Sequence, residues 1–302
     1  SWPLRPILSA CLTAAANDEG NGLNSVRNKM LSVLARKTIG KRFHQSLGGR
    51  LRMVASCGAS VPPSLCRSYE SLGIPLISFY GMSETSRLIC SQCVNVGRHG
   101  DDVGLPSPDL ELKICDNGEL RLKGPSLMAG YLDAEDNAAG YDEQGYFLTG
   151  DLVSRSPQTG KLRIVGRTKN LLILSTGKNV SPEPIEARLE TISHVSGALL
   201  LGDGQPYVTA LLFVSVNTLP ELGVNDQDVV STLFALISST LSEFSHFEQP
   251  KRILIIAGVP SDHSEFVTPT LKLKRKPITE AYAAAIATLY ELPSGIGIVH
   301  HE

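Results

Sequence analysis

The chain has 302 residues, of which 42% are hydrophobic and 19% are charged, and its formal net charge is −2. These values are typical of a globular protein, and the length allows two domains, each with its own core. A slightly negative chain gives no basis for nucleic acid as the main partner. No apolar run approaches the roughly 20 residues that span a bilayer. We therefore predict no transmembrane segment and a cytoplasmic location, with peripheral membrane association as the alternative.

The first half of the chain predicts strands and helices that alternate. The expected elements are helical and loop-like residues at 1–50, a strand at 51–55, a helix from Pro62 to Gly73 and a strand at 75–80. A strand, a helix and a strand in this order indicate a parallel α/β layer. The segment 78–86 then reads as a buried strand that breaks at Gly81 and opens a helix.

The pattern of polar and apolar residues changes at about residue 103. Two alternating runs, 110–114 and 119–123, flank an Asn-Gly turn, which is a strong hairpin signal. A second pair of runs is expected at 147–155 and 161–165. Residues 103–165 therefore form a small, mostly antiparallel β unit.

The second half predicts a compact α+β domain. Its expected elements are a strand at 171–174, a turn at Gly177, a helix that begins at Ser181-Pro182, strands at 197–202 and 207–214, a helix at 227–243, a strand at 251–256 and a final helix at 277–290. The change in pattern places a domain boundary at 167–170, which divides the chain into 1–166 and 167–302.

Three residues at the end of the strand at 75–80 suit a nucleotide. The ring of Tyr80 can lie against a base, the Ser83 hydroxyl can reach a phosphate oxygen, and the Glu84 carboxylate can bind Mg²⁺. Each has an ordinary structural explanation as well, because Tyr80 can be a core aromatic residue and Ser83 and Glu84 can be capping residues. Asp151 can accept two ribose hydroxyls or simply sit in a turn.

Cys90 and Cys93 have the spacing of a metal or redox pair. No second Cys-x-x-Cys pair is present among the six cysteines of the chain. The pattern therefore favours ordinary thiols in a reducing cytosol over a zinc site or a redox dithiol.

Four motifs stand in one order along the chain. They are Tyr80-Gly81-Met82-Ser83-Glu84-Thr85, Thr149-Gly150-Asp151, Gly166-Arg167-Thr168-Lys169-Asn170 and Thr268-Pro269-Thr270-Leu271-Lys272-Leu273-Lys274-Arg275. In this order they resemble the adenylate-forming superfamily. Two segments are most similar to its long-chain fatty acyl-CoA synthetase branch, namely Leu47-Gly48-Gly49-Arg50-Leu51-Arg52 ahead of Gly58-Ala59, and the last motif. The resemblance runs from about Leu47 to Tyr282.

The resemblance implies a fold and a reaction. Residues 1–166 would be the C-terminal part of a large α/β AMP-binding domain with a β subdomain at about 103–165, and residues 167–302 would be a small mobile α+β domain. The reaction would use ATP and Mg²⁺ to convert a carboxylic acid, above all a long-chain fatty acid, into acyl-AMP. The acyl group would then pass to a thiol, that of CoA or of an acyl carrier protein.

The resemblance also assigns roles to residues. Lys272, Glu84 and Ser83 would be catalytic, with Glu84 as the metal ligand and Lys274 as the nearest competitor of Lys272. Lys169 would be the hinge, although Asn170 replaces the acidic residue usual beside it. The positions that bind nucleotide or approach the thiol substrate would be Gly58, Ala59, Tyr80, Gly81, Asp151, Arg167 and Gly177. We expect Gly58, Tyr80, Glu84 and Asp151 to line one concavity.

One part of the family pattern is missing. The hydroxyl-rich glycine loop that binds pyrophosphate has no counterpart in the sequence. We therefore expect the chain to be roughly the C-terminal half of such an enzyme and to be inactive alone. Two alternatives are an inactive truncated homologue that binds nucleotide or a protein partner, and an acyl-AMP or acyl-carrier-protein ligase.

Overall fold

The computed structural model describes residues 40–58, 61–93, 102–193, 195–215, 227–291 and 298–301. By its internal contacts the chain separates into two compact units, Ser1–Ile164 and Val165–Glu302. Within the described residues, no helix is both long enough and apolar enough to cross a membrane.

The first sheet of unit 1 has the order β1-β2-β3-β4. Its strands are β1 (Val54–Cys57), β2 (Leu76–Gly81), β3 (Leu88–Ser91) and β4 (Leu105–Pro106), and a short helix, α1 (Lys41–Ser46), precedes them. β1 and β2 are parallel, whereas β3 runs antiparallel to β2 and β4 antiparallel to β3. The predicted parallel strand–helix–strand unit is therefore confirmed, with the first strand three residues later than expected.

Helix α2 (Pro63–Ser71) connects the two parallel strands. Pro63 is its first residue, where the fixed φ of proline suits a helix and its missing N–H costs nothing. The helix packs Cys66 and Tyr69 against Leu76 of β2 and Val54 of β1.

The helix expected after Gly81 is wrong. The chain makes one 3₁₀ turn, Ser83–Thr85, and Ser86 then adopts φ 54° and leads into β3. The buried hydroxyl of Thr85 donates to the carbonyls of Met82 and Arg87, at 2.9 and 2.7 Å. These bonds close the loop across its base, so the chain returns as an antiparallel strand.

The second sheet of unit 1 has the order β5-β6-β7-β8. It consists of β5 (Glu111–Ile114), β6 (Glu119–Lys123), β7 (Phe147–Arg155) and β8 (Leu162–Arg167), with helix α3 (Ala134–Ala139) between β6 and β7. The predicted hairpin is confirmed, since Ile114 pairs with Leu120 across a turn in which Gly118 has φ 85°. The core of this region joins residues of both sheets, namely Tyr80, Ile89, Cys90, Leu110, Leu120, Leu122, Val153 and Leu162.

Unit 2 begins with a small hairpin and contains one larger sheet. The elements are β9 (Leu172–Ile173), β10 (Asn179–Val180), α4 (Pro182–Leu189), β11 (Val195–Leu201), β12 (Thr209–Val214), α5 (Gln227–Thr240), β13 (Arg252–Ala257), α6 (Arg275–Ala281), α7 (Ala283–Glu291) and β14 (Ile298–His301). The order of the larger sheet is β11-β12-β13-β14, in which only the β11–β12 pair is antiparallel.

Helices cover both faces of this sheet. Ile185 of α4 and Ile237 of α5 belong to one core cluster, and Ile278 of α6 and Leu289 of α7 belong to the other. Every residue of β12 is buried for this reason, which explains its continuous apolar run. The single helix predicted at 277–290 is wrong, because the chain forms two helices that break at Tyr282.

Candidate functional site

Tyr80 and Asp151 are in direct contact in unit 1. The Tyr80 hydroxyl donates a hydrogen bond of 2.6 Å to Oδ2 of Asp151. Both side chains are buried, with 7% of Tyr80 and 2% of Asp151 exposed. Burial and the neighbouring Asp151 charge raise the pKa of Tyr80 well above its usual range, so its hydroxyl stays protonated and donates. The contact brings Tyr80 and Asp151 together, whereas the concavity expected to be lined by Gly58, Tyr80, Glu84 and Asp151 stays a prediction.

A bulge in β7 carries Asp151. Leu148 pairs with Arg121 and Leu152 pairs with Glu119, so the three residues 149–151 stand opposite Leu120 alone. The Thr149 hydroxyl donates to the Leu120 carbonyl at 2.6 Å and accepts from the Asp151 amide at 3.1 Å. Gly150 has φ 67°, a conformation that favours glycine. This bulge brings the Asp151 carboxylate to Tyr80.

The turn at Ser83–Thr85 presents a hydroxyl and a carboxylate. Ser83 is exposed and Glu84 is partly exposed. Oε1 of Glu84 accepts a hydrogen bond of 3.1 Å from the Tyr131 hydroxyl, and the Glu84 carbonyl accepts one of 2.7 Å from the Met128 amide. Both contacts join the turn to the segment that precedes α3. Sequence reasoning missed Tyr131, because the contact spans 47 residues and no local pattern marks it.

Gly81 and Gly58 differ in what surrounds them. A Cβ on Gly81 would lie 3.0 Å from the Arg87 carbonyl oxygen, so the close return of the chain into β3 explains this glycine. Gly58 has φ 81° and open space where a Cβ would stand. Cys57 pairs with Phe79 in the parallel register, so Gly58 follows β1 at the edge where Tyr80 lies. Ala59 lies outside the described residues.

Glu84 is suited to a cation that also binds phosphate. Within the described ranges, no group of three or more His, Cys, Asp or Glu side chains could hold a metal ion by itself. Mg²⁺, however, is commonly bound through one or two carboxylates and completed by phosphate oxygens and water. A single, partly exposed carboxylate with one oxygen fixed by a hydroxyl fits that arrangement.

Cys90 and Cys93 belong to no metal-binding group within the part of the chain that the structure describes. Cys90 is buried and Cys93 is exposed, and both are free thiols. Burial raises the pKa of Cys90 to about 12, which is the reverse of what a reactive or metal-binding thiol needs.

The hinge motif packs against the start of α4 in unit 2. A Cβ on Gly166 would lie 2.6 Å from the Ser181 hydroxyl oxygen. The Asn170 amide donates to Oε1 of Glu183 at 2.5 Å, so the residue that departs from the family pattern still has a partner. Arg167 and Lys169 are both exposed. Their assigned roles at the ribose and the hinge stay predictions.

Gly177 and Lys272 lie at two exposed turns of unit 2. Gly177 has φ 77° in the turn that joins β9 and β10. Lys272 lies in a tight loop, where its amide donates to the Thr268 hydroxyl and its carbonyl accepts from the Thr268 amide, at 3.0 and 2.8 Å. Leu271 beside it is 70% exposed and has φ 61°.

Lys274 has a different environment from Lys272. It is partly buried, it directly precedes α6, and its amide donates to the Phe266 carbonyl at 2.8 Å. Exposure therefore favours Lys272 as the lysine that can approach and leave a substrate.

An ion pair that sequence reasoning missed anchors the helix after the Lys272 loop. The Arg275 guanidinium contacts Oε1 of Glu186 at 2.7 Å and donates to the Leu200 carbonyl at 2.6 Å. The same Glu186 oxygen accepts from the Leu200 amide at 2.6 Å. Burial raises the pKa of Glu186 and the Arg275 charge opposes that shift. The pair joins α6 to α4 and β11.

Two family models match the sequence. The model of the AMP-binding enzyme matches residues 20–132, and the model of the AMP-binding enzyme C-terminal domain matches residues 169–293. The pattern of motifs and these matches agree on the same family.

Similar curated proteins are ligases. The chain is 32% identical over 264 residues to a putative fatty-acid–CoA ligase, fadD11, of Mycobacterium tuberculosis, which covers 82% of this chain and 46% of that protein. It is 27% identical over 285 residues to the long-chain-fatty-acid–[acyl-carrier-protein] ligase AEE15 of Arabidopsis thaliana, over 86% of this chain and 38% of that protein. The chain thus spans less than half the length of these relatives.

Solved structures share the fold. The adenylation domain of a carboxylate reductase from Mycobacterium chelonae aligns with a TM-score of 0.68 and 22% identity, over 95% of this chain and 46% of that chain. ATP-bound MatB from Rhodopseudomonas palustris aligns with a TM-score of 0.61 and 21% identity, over 84% of this chain and 49% of that chain. The predicted mixture of α/β and α+β structure is confirmed by this likeness.

Proposed function

Because this chain belongs to the AMP-binding enzymes, we propose that its protein activates a carboxylic acid with ATP and passes the acyl group to a thiol. The acid is a fatty acid and the thiol is that of CoA, as in the name of the M. tuberculosis relative. A long acyl chain agrees with the name of the A. thaliana relative. An acyl carrier protein is the alternative acceptor, as in the name of the A. thaliana relative.

The direct contact between Tyr80 and Asp151 carries this proposal. The two residues come from separate motifs, and the family pattern assigns one to the base and the other to the ribose. A simple turn aspartate would have no reason to reach the end of β2. Since the Tyr80 hydroxyl occupies Oδ2 of Asp151, the ribose would have to share this hydrogen bond or replace it.

The first half-reaction joins two anions. A carboxylate oxygen of the acid attacks the α-phosphorus of ATP, the bond from that phosphorus to the bridging oxygen breaks, and pyrophosphate leaves. Positive charge must offset the charge that builds on the phosphoryl oxygens. The exposed ammonium of Lys272 would supply it, and Glu84 would hold Mg²⁺, which neutralises the phosphates when bound.

The second half-reaction needs another arrangement. The thiolate sulfur attacks the acyl carbon, and AMP leaves with the electron pair of the broken C–O bond. We propose that residues from 167 onward reorient about Lys169, so that the turn at Gly177 approaches the thiol substrate while Lys272 withdraws. Both residues lie on exposed turns, as such an exchange requires.

The test separates Lys272 from Lys274 in a protein that includes the upstream glycine loop. Lys272→Ala should slow acyl-AMP formation by at least roughly 10²-fold, the usual scale for the loss of one electrostatic stabiliser. Thiol attack on supplied acyl-AMP should change much less. Lys274→Ala is the matched control and should retain the first half-reaction. Equal losses in both half-reactions for Lys272→Ala would contradict the assignment.

The 302-residue chain makes a separate test. It should catalyse no acid-dependent exchange of pyrophosphate into ATP, because the hydroxyl-rich glycine loop has no counterpart in its sequence. Robust exchange by this chain would contradict our view that it holds about half of the catalytic machinery. Nucleotide binding without any activity in the longer protein would favour the inactive homologue.

A further inference from the structure

Two contacts join the Glu84 turn to the segment before α3. The Met128 amide donates to the Glu84 carbonyl at 2.7 Å, and the Tyr131 hydroxyl donates to Oε1 of Glu84 at 3.1 Å. One contact fixes the backbone of the turn and the other fixes its carboxylate. Among the residues that the structure describes, none donates a hydrogen bond to the other carboxylate oxygen of Glu84, Oε2.

Asn137 of α3 fixes Tyr131 in turn. Its side-chain oxygen accepts from the Tyr131 amide at 2.6 Å, and its side-chain nitrogen donates to the Tyr131 carbonyl at 2.7 Å. The same nitrogen donates to the Asp133 carbonyl at 3.0 Å. A Cβ on Gly130 would lie 2.6 Å from Oδ1 of Asn137, so the chain approaches this side chain as closely as a glycine allows. Helix α3, through Asn137, therefore fixes the position of Tyr131.

We propose that Tyr131 is a positioning residue for the carboxylate of Glu84, and that Asn137 supports it. The hydroxyl holds Oε1 and leaves Oε2 to bind Mg²⁺ on the phosphates of the nucleotide. This inference depends on the proposed function, because it requires that Glu84 takes part in nucleotide binding. Loss of a group that orients a metal ligand typically lowers metal affinity by about 10- to 100-fold.

The chain contains a matched pair for comparison. The Tyr146 hydroxyl also donates to a glutamate, Glu111. Glu111 begins β5 and Tyr146 directly precedes β7, so this pair lies beside the second sheet of unit 1. Lys113 and Lys123 place their ammonium groups 5.3 and 5.6 Å from the centre of the Tyr146 ring. The two tyrosines thus make the same kind of bond, but only one partner belongs to the candidate site.

The experiment uses the protein that includes the upstream glycine loop and measures how Mg²⁺ changes its affinity for ATP, by calorimetric titration with MgCl₂ or with EDTA. Tyr131→Phe should raise the Mg²⁺ concentration for half-maximal enhancement by about 10-fold or more. Its affinity for ATP in EDTA should match that of the unmodified protein. Tyr146→Phe should change neither value. Thermal unfolding of each variant checks that it is folded, and Tyr131 is 36% exposed, so loss of its hydroxyl leaves the core intact.

A double variant distinguishes positioning from a general effect. Glu84→Gln should abolish the Mg²⁺ enhancement, and Glu84→Gln combined with Tyr131→Phe should be no worse than Glu84→Gln alone. If Tyr131→Phe keeps the Mg²⁺ dependence of the unmodified protein while Glu84→Gln loses it, this inference is wrong and the proposed function stands. If the unmodified protein that includes the upstream glycine loop shows no Mg²⁺-dependent binding of ATP, both are wrong.

Discussion

The hydroxyl of Tyr80 lies 2.6 Å from Oδ2 of Asp151, and this hydrogen bond joins β2 of one sheet to the bulge of β7 in the other. Tyr80→Phe should lower the free energy of unfolding by about 1–3 kcal/mol, because it removes a donor from a buried carboxylate. Denaturant unfolding of the 302-residue chain measures this change.

Tyr141→Phe is the control for that measurement. Among the described residues, its hydroxyl makes a single, long hydrogen bond of 3.5 Å to the Met128 carbonyl, so its removal should cost much less. Equal losses for the two variants would mean that the bond between Tyr80 and Asp151 contributes little.

Leu271 adopts φ 61° beside Lys272 and is 70% exposed. A side chain in this conformation costs about 1–2 kcal/mol, whereas glycine adopts it freely but loses about 0.5–1 kcal/mol more backbone entropy on folding. Leu271→Gly should therefore leave the free energy of unfolding unchanged or raise it by up to about 1.5 kcal/mol. Leu271→Ala keeps the Cβ and the strained backbone, so it should show no gain. If Leu271→Gly clearly lowered the free energy of unfolding and Leu271→Ala did not, the backbone at Leu271 would not be strained.

The thiols should differ in their reaction with iodoacetamide at pH 8. Cys57 and Cys93 are exposed and should be alkylated first, whereas buried Cys66 and Cys90 should be protected. Only about one Cys90 thiol in 10,000 is ionised at that pH if its pKa is about 12. Mass spectrometry of peptides reports each site, and all thiols should react in urea. Similar alkylation rates for Cys90 and Cys93 in the folded chain would contradict the burial of Cys90.

Limited trypsin digestion tests the hinge. We expect the first cuts after Arg167 or Lys169, since both are exposed and lie where β8 ends and a single turn follows. Arg163 is also exposed but lies inside β8, so it should be cut later. Arg155 ends β7 and donates to the Gly160 carbonyl in the turn that joins β7 and β8, so it should be cut later as well. First cleavage after Arg163 would instead place the hinge near Ile164–Val165, where the two compact units divide. First cleavage at Arg155 would contradict a hinge in either place.

Local signals in the sequence predict several elements well. The Asn-Gly turn at Gly118 specifies the β5–β6 hairpin, and Pro63 specifies the start of α2. The failure at Ser83–Thr85 has a physical cause, because a hydroxyl and a carboxylate after a strand resemble the start of a helix. The Thr85 hydroxyl bonds instead to the Arg87 carbonyl and helps to close a turn. The break at Tyr282 is likewise absent from the apolar pattern of 277–290, which is helical throughout.

Some residues of the candidate site could likewise be predicted from the sequence, and others could not. Tyr80, Glu84 and Asp151 could be named because each belongs to a short motif. Tyr131 and Asn137 could not, since their importance depends on contacts that only the folded chain creates. The bulge in β7 could be predicted in part, because a glycine inside a strand pattern, such as Gly150, often marks a bulge.

The bulge at 149–151 also makes the length of this segment as important as its chemistry. Pairing on its two sides, at Leu148 and at Leu152, is set by separate residues of β6. Deletion of one residue between them would shift one half of β7 and turn its alternate side chains to the opposite face. We therefore expect the number of residues between Leu148 and Leu152 to stay constant among homologues.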